Sequence, residues 1–360
     1  MIIRPIAPKD LDALFRIAEE SGPGFTSLMP DRDALARKID HSVDSFQRTL
    51  SAPGDEYYLF VLEDTATGAV MGTTGIQASV GRIHPLYHFR HSTLVQHSRN
   101  LGLHRQIDTL TRCQHYTGCT EICSLYLRPE YRRPLAGKLL SRVRFLFMAM
   151  HPERFSDTVI AEMRGVSDEG GQSPFWNCLK THFADLEFAS VTSLVGAGHT
   201  EFIEDLIPDH PIYTSMLSAE ARGVVGKVHE QTRPALAMLE AEGFRFRGLV
   251  DVFDGGPTVE CPLASIRSVR TSRGLRTVAI GQPEAAGTPT LVANTGLADF
   301  RATVTSDATT AGKTVLMSPT LSRQLGLDNG APVRALAMGN TRPATHPEHI
   351  AMTPEKHYAH

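Results

Sequence analysis

The stretch from Leu127 to Met148, "LRPEYRRPLAGKLLSRVRFLFM", constrains the fold more than any other part of this 360-residue chain. An apolar run, "EICSLYL", leads into it and reads as a strand. The segment leading out, "GKLLSRVRFLFMAM", reads as a helix with Leu139, Leu140, Val143 and Phe147 facing inward. Between them lie Arg132, Arg133 and Gly137. A helix start leaves backbone N–H groups without intrahelical acceptors, and the helix dipole adds positive potential there. Two guanidinium groups and a glycine at such a junction describe a phosphate-binding turn. The arginines would add charge-assisted contacts, and Gly137 would let the backbone approach a pyrophosphate closely.

The flanking sequence supplies the setting. "IIRPIAPKDLDALFRIAEESG" reads as a short strand, then Asp10 as a cap, then Leu11, Leu14, Phe15 and Ala18 at helical spacing. In "DALARKIDHSVDSFQRTL", Leu35, Ile39, Val43 and Phe46 mark a second amphipathic helix, and "YYLFVLEDTATGAVMGTTGIQASVG" is a β-hairpin turning at Asp64 and Gly68. Residues 81–120 hold six of the sixteen histidines with no clear period, and solvated loop and strand-edge positions are expected for them. Further on, "DTVIAEMRGV" reads as a strand, "SPFWNCLKTHF" as a helix, and "ADLEFA" as a return to the sheet. "PALAMLEAEGF" is a helix that ends on a left-handed Gly243 before the strand "RGLVDVF". Gly255 and Gly256 of "FDGGPT" make a tight turn, and short β runs dominate from Ile280 onward.

Composition excludes several classes of function. A net charge of −3 with no separate Lys/Arg block argues against a nucleic-acid partner. The first residues lack a signal-peptide apolar stretch, and no run is long enough to span a membrane, so a cytoplasmic protein is expected. Five cysteines, at 113, 119, 123, 178 and 261, are read as reduced thiols. Cys119 and Cys123 with His115 lack a CxxC spacing and a second close pair, so no metal is expected.

The order strand, helix, hairpin, strand, R-x-x-x-x-G turn and helix resembles the Gcn5-related N-acyltransferase architecture, in which that turn holds the pyrophosphate of an acyl-coenzyme A. The pattern there is Q/R-x-x-G-x-G/A, and this chain has Arg132, Leu135 and Gly137 in those places. Leu135 departs from it. A narrower resemblance, to the arginine N-succinyltransferase family, rests on "SLYLRPEYRR", "AEMRGVSDEGGQSPFW", "DLIPDHPIYTSML", "GKVHEQTRPALAMLEAEGF" and "VDVFDGGPTVEC", and covers about residues 2–340. It implies an α+β fold of duplicated acyl-CoA N-acyltransferase-like units with mixed, mostly antiparallel sheets. The expected division is 1–190 and 191–279 for the two units, 280–340 for a small β-rich unit, and 341–360 for a disordered tail.

The same resemblance implies the chemistry. Succinyl would pass from succinyl-CoA, a substrate and not a prosthetic group, to the α-amino group of arginine. Ornithine as acceptor, another acyl-CoA as donor, and a non-catalytic subunit that needs a paralogous partner are the alternatives. A homo-oligomer or a heteromer with such a partner is expected. His229 matches the family's proton donor, and Leu125 matches a position that contacts succinyl-CoA, acting through its main chain. Charge logic adds Arg164 for the succinyl carboxylate, and Glu162 and Asp254 for the guanidinium.

Overall fold

The N-terminal strand β1 (Ile2–Pro5) is followed by helices α1 (Leu11–Ser21) and α2 (Arg32–Gln47), as the apolar spacing predicts. Asp10 does stand at the start of α1, but its carboxylate does not cap the helix. It accepts both terminal nitrogens of the buried Arg4 guanidinium, at 2.7 and 2.8 Å. A buried cation outcompetes an exposed helix end for a carboxylate. The hairpin β2 (Tyr57–Glu63) and β3 (Val70–Gln77) follows, then β4 (His88–Ser98), β5 (Leu103–Cys113), β6 (Thr120–Leu127), α3 (Ala136–Met150) and β7 (Thr158–Glu162). This computed structural model describes residues 1–339, apart from 23–24, 83, 169–170, 184, 273, 275 and 284–287. The tail expected to be disordered, 341–360, lies outside the described residues.

Beyond β7 come α4 (Pro174–Phe183), α5 (Phe188–Gly196), α6 (Glu201–Leu206), the two-residue β8 (Ile212–Tyr213) and α7 (Ala219–Val224). "ADLEFA" therefore does not return to the sheet, because its last residues open α5. Phe188 and Val191 of that helix join Phe175, Trp176 and Leu179 of α4 in a helical core, a use of apolar residues that a six-residue window does not separate from a buried strand. Then come α8 (Arg233–Glu242), β9 (Arg245–Asp251), β10 (Pro257–Pro262), α9 (Arg267–Thr271), β11 (Arg276–Ile280), β12 (Thr290–Asn294), β13 (Ala302–Thr305), β14 (Ala308–Ala311), β15 (Thr314–Met317), α10 (Pro319–Leu325) and β16 (Pro332–Ala337). Gly243 ends α8 at φ +110°, the left-handed cap read from the sequence.

All sixteen strands join one mixed, mostly antiparallel sheet, in the order β14-β15-β11-β16-β12-β13-β1-β2-β3-β6-β7-β10-β9-β4-β5-β8. Two parallel pairs interrupt the antiparallel order, β11 with β15 and β6 with β7, and the second borders the candidate site. Helix α3 packs on one face of the sheet, where Leu139, Leu140, Val143 and Phe147 are fully buried against Tyr58, Phe60 and Val159. Each such side chain contributes about 1.5–3 kcal/mol, which anchors the turn that precedes the helix. Helices α1 and α2 cover the opposite face, over Tyr57, Leu59 and Val61.

The histidine-rich stretch forms the β4–β5 ribbon, paired from His88↔Cys113 to Ser98↔Leu103. Its outer part is exposed on both faces, so no period-2 alternation marks it in the sequence. Its histidines are exposed except His88, which is fully buried at the base. No helix among the described residues is long and apolar enough to cross a membrane.

Candidate active site

The turn between β6 and α3 has the geometry of an anion cradle. Among the described residues, the N–H groups of Gly137 and Lys138 have no protein acceptor, whereas Ala136 donates to Arg133 O at 3.2 Å and Leu139 to Leu135 O at 2.8 Å. A Cβ at Gly137 would meet nothing within 4 Å, so the approach to these amides is open. Leu135 sits at φ +71°, a conformation that suits glycine and costs a leucine about 1–2 kcal/mol. Its side chain packs against the core under α3, which offsets that strain. Arg132 is exposed and has no carboxylate within ion-pair distance among the described residues. Arg133 is partly engaged by Asp64 at 3.4 Å.

A few residues upstream, the sheet opens. β6 pairs with β7 only at Thr120↔Val159 and Glu121↔Ile160, so its remaining residues lose that neighbour. On its other side, the register with β3 jumps between Thr73↔Tyr126 and Gly75↔Cys123, a bulge that contains Ser124 and Leu125. Ser124 is held at φ +52°. The Tyr57 hydroxyl lies 2.6 Å from its Oγ, and Thr73 Oγ1 donates to its carbonyl at 2.9 Å. Tyr57 reaches Ser124 because Gly75 lies beneath it: a Cβ there would lie 3.1 Å from the Tyr57 hydroxyl. Thus Leu125 stands in a bulge beside a parted pair of strands.

Beyond the C-terminal end of β7, a cleft of about 1060 Å³ is lined by Glu20, Arg164, Ser167, Lys227, His229 and Arg233, among others. His229 is held here because its segment pairs with the end of β7: Gly165 bridges Val228, and the His229 N–H donates to Arg164 O at 2.9 Å. Its Nδ1 accepts the Gln231 N–H at 3.2 Å. That bond assigns the neutral imidazole its proton on Nε2. Burial, and then the Arg164 cation, lower the His229 pKa and favour this neutral form. Arg164 donates to Ser167 Oγ at 2.9 Å and has no carboxylate within ion-pair distance among the described residues.

Carboxylates converge beneath the cleft, with separate occupations. The expectation that Asp254 receives a guanidinium gives way to a structural role. Its Oδ2 accepts the Gly165 N–H at 2.6 Å and its Oδ1 the Gly256 N–H at 2.8 Å, while Asp251 Oδ1 accepts the N–H groups of Phe253 and Asp254. Both glycines are sterically required. A Cβ at Gly165 would lie 2.5 Å from Asp254 O, and one at Gly256 would lie 2.2 Å from Met163 O. Glu162, partly exposed at the end of β7, has Oε1 2.9 Å from His88 Nε2, in ion-pair range but outside hydrogen-bond geometry. The structure therefore brings Arg164, His229 and Glu162 to one region and leaves Arg132, Arg133 and Gly137 at the far end of β6.

Sequence reasoning missed Tyr57, Ser124, His88 and Glu121. Only Glu121 carried a signal, a charge at the head of an apolar strand. Its carboxyl is pushed up to about 8 by burial, then by the Glu162 charge, with Lys38 opposing. By accessible surface it is partly exposed. Among the described residues, no group of three or more His, Cys, Asp or Glu could hold a metal ion.

An open, cationic helix start, a parted parallel strand pair and a histidine in the cleft beyond it match the class that the sequence resembles, an acyl-CoA-dependent N-acyltransferase. The comparisons with known proteins narrow this class. A family model described as the arginine N-succinyltransferase beta subunit matches residues 1–268, and one for the C-terminal domain of that subunit matches 275–337. The chain belongs to this family. It is 44% identical over 338 residues to the arginine N-succinyltransferase subunit beta of Pseudomonas aeruginosa, covering 94% of this chain and 98% of that one. It is also 44% identical over 322 residues to the arginine N-succinyltransferase of an Enterobacter species, covering 89% and 93%. A solved structure titled arginine/ornithine succinyltransferase subunit AI, from Pseudomonas aeruginosa, superposes with a TM-score of 0.86 at 39% identity, over 94% of this chain and 99% of that one.

Proposed function

We propose that this chain transfers the succinyl group of succinyl-CoA to the α-amino group of L-arginine, in the cytoplasm and as part of an oligomer. The observation that carries the reading is the placement of the bulge at Leu125 between the cationic turn and the His229 cleft, in a chain of this family. The coenzyme A pyrophosphate lies on the Gly137 and Lys138 amides with Arg132 and Arg133 beside it. The pantetheine arm enters where β6 and β7 part, in place of the missing strand neighbour.

The thioester then reaches the bulge, where the Leu125 N–H meets the carbonyl oxygen. The deprotonated amine attacks the carbonyl carbon, and charge collects on that oxygen as the tetrahedral intermediate forms. When the C–S bond breaks, the thiolate leaves and a proton ends on sulfur, making free coenzyme A. His229 suits this step by passing its Nε2 proton to the departing sulfur as the protonated amine of the tetrahedral intermediate returns one to the imidazole, so the ring ends neutral and no imidazolate forms. Arg164, a half-buried cation without an ion-pair partner among the described residues, receives the succinyl carboxylate, and Glu162 contributes to acceptor binding.

The test is a thiol-release assay crossing succinyl-CoA and acetyl-CoA with arginine, ornithine and lysine, with His229→Ala alongside. Turnover confined to succinyl-CoA with arginine, and lost in the variant, is the expected result. A relative named as a subunit supports a second reading, a chain active only with a paralogous partner. Silence alone and turnover after mixing with that partner would establish the second reading.

A further inference from the structure

Glu121 stands next to Glu162 on one face of the sheet. The register sets Glu121 opposite Ile160 across the parallel pair, and Glu162 is two residues further along the same side of β7. On that face Tyr57 lies across from Gln77 and Gln77 from Glu121, so α2, which carries Lys38, lies over the Glu121 side of the pair. Among the described residues, Glu121 has no ion pair and no hydrogen bond. The nearby Lys38 donates to Ser27 O at 2.6 Å and sits 4.5 Å from the Tyr57 ring centroid, so only its field reaches Glu121.

Two further polar groups beside the pair lack partners. Thr258, directly across from Glu162 on β10, is fully buried, and its Oγ1 has no hydrogen bond. His88 is also fully buried, with Nε2 toward Glu162 and Nδ1 unpartnered. Buried polar groups almost always find partners, so this concentration of acceptors beside two carboxylates points to a ligand rich in donors. A guanidinium carries five N–H donors in a planar fork, and it is the group that carboxylates hold best.

We propose that Glu121 and Glu162 together form the receptor for the cationic end of the acceptor, with Thr258 and His88 completing its hydrogen bonds. This rests on the transferase reading above. Spacing separates it from a role for Glu121 as the base that deprotonates the amine. Leu125 is four positions on from Glu121, one of them taken up by the bulge, so the two stand about 10 Å apart at ~3.3 Å per residue. That is too far for direct proton transfer to a nitrogen at the thioester, and it matches the reach of an extended arginine side chain ending at the pair. Glu121, pushed up to about 8, holds a proton near neutrality, and an entering cation releases it.

The experiment compares L-arginine with L-citrulline, its neutral isostere, on the full chain and on Glu121→Gln and Glu162→Gln. Wild-type protein is expected to prefer arginine more than 100-fold in kcat/KM. Each variant is expected to reduce that preference at least 10-fold through KM, with kcat for arginine held within about threefold. Calorimetry with arginine on the coenzyme A-loaded protein, in buffers of different ionisation heat, should show proton release that Glu121→Gln abolishes. An unchanged preference overturns the proposal, as does an equal fall in kcat for both acceptors, the mark of a base. Should Glu162→Gln fail to fold, Glu121→Gln decides alone. If the wild-type chain turns over no substrate, the transferase reading fails, and the titration still judges the receptor: arginine binding weakened 10-fold in Glu121→Gln supports it, and equal binding overturns it.

Discussion

The two ends of the proposed reaction path are built differently. The donor end, from Arg132 to Gly137, consists of consecutive residues at the start of one helix, largely exposed, with cations and free amides facing solvent. The acceptor end draws Lys38, His88, Glu121, and Glu162 with Arg164 from four separated segments, and its groups stand partly or fully buried beside one another. In the first, local backbone geometry does the work and each charge is screened. In the second, burial amplifies each charge, so removing one group changes the state of its neighbours. The donor turn should therefore tolerate substitution in graded steps, whereas the acceptor region should respond sharply.

The largest effect expected is on chemistry. His229→Ala should lower kcat about 100-fold with little change in either KM, as expected for loss of a proton-transfer group. Steady-state kinetics would show this, and an unchanged kcat would remove His229 from the reaction. Next is Asp254→Ala, which leaves the buried Gly165 and Gly256 N–H groups without acceptors. A loss of about 3 kcal/mol in urea unfolding is expected. A loss below ~1 kcal/mol would mean that the turn does not depend on that carboxylate.

At the donor end, Arg132→Ala should raise the KM for succinyl-CoA about 10-fold, and Arg133→Ala less, because Asp64 already engages Arg133. Both effects should shrink as salt is raised. A salt-independent effect, or one confined to arginine KM, would break the contrast between the two ends. A further effect concerns stability and pH. Glu121 is held at about 8 in the folded chain, against about 4.3 for a free glutamate. Between these values the folded state binds a proton that the unfolded state has released, so this group lowers stability as pH rises through that window. Glu121→Gln should accordingly melt higher than wild type at pH 8, with the difference shrinking toward pH 5. A constant difference would assign the effect to packing.

Much of the donor end was readable in advance. The strand "EICSLYL" and the face Leu139, Leu140, Val143 and Phe147 lie where periodicity places them, and the left-handed Gly243 ends its helix. Hydrophobic spacing reports such elements because their apolar residues recur at the element's own period, although α3 is buried nearly all round. The β4–β5 ribbon escaped because it buries neither face along its outer half. "ADLEFA" misled because residues that start a buried helix look, over so short a window, like a strand. Leu135 is a different lesson. The pattern identified it as a departure from glycine, but only the structure shows that it takes the glycine conformation, supported by packing.

What this sequence determined by itself is everything whose cause is local: the helix start with its arginines and Gly137, the amphipathic faces, and the turns at Gly68, Gly243 and Gly255. Tertiary structure alone decided which charges meet. Asp254 became a clamp for two backbone amides, while Glu121, legible only as an odd charge at the head of a strand, became the neighbour of Glu162. The physical reason is that a carboxylate's role depends on the donors within about 3 Å of it. In this chain those donors arrive from strands and loops far apart in sequence, brought together by sheet register and by the parting of β6 from β7.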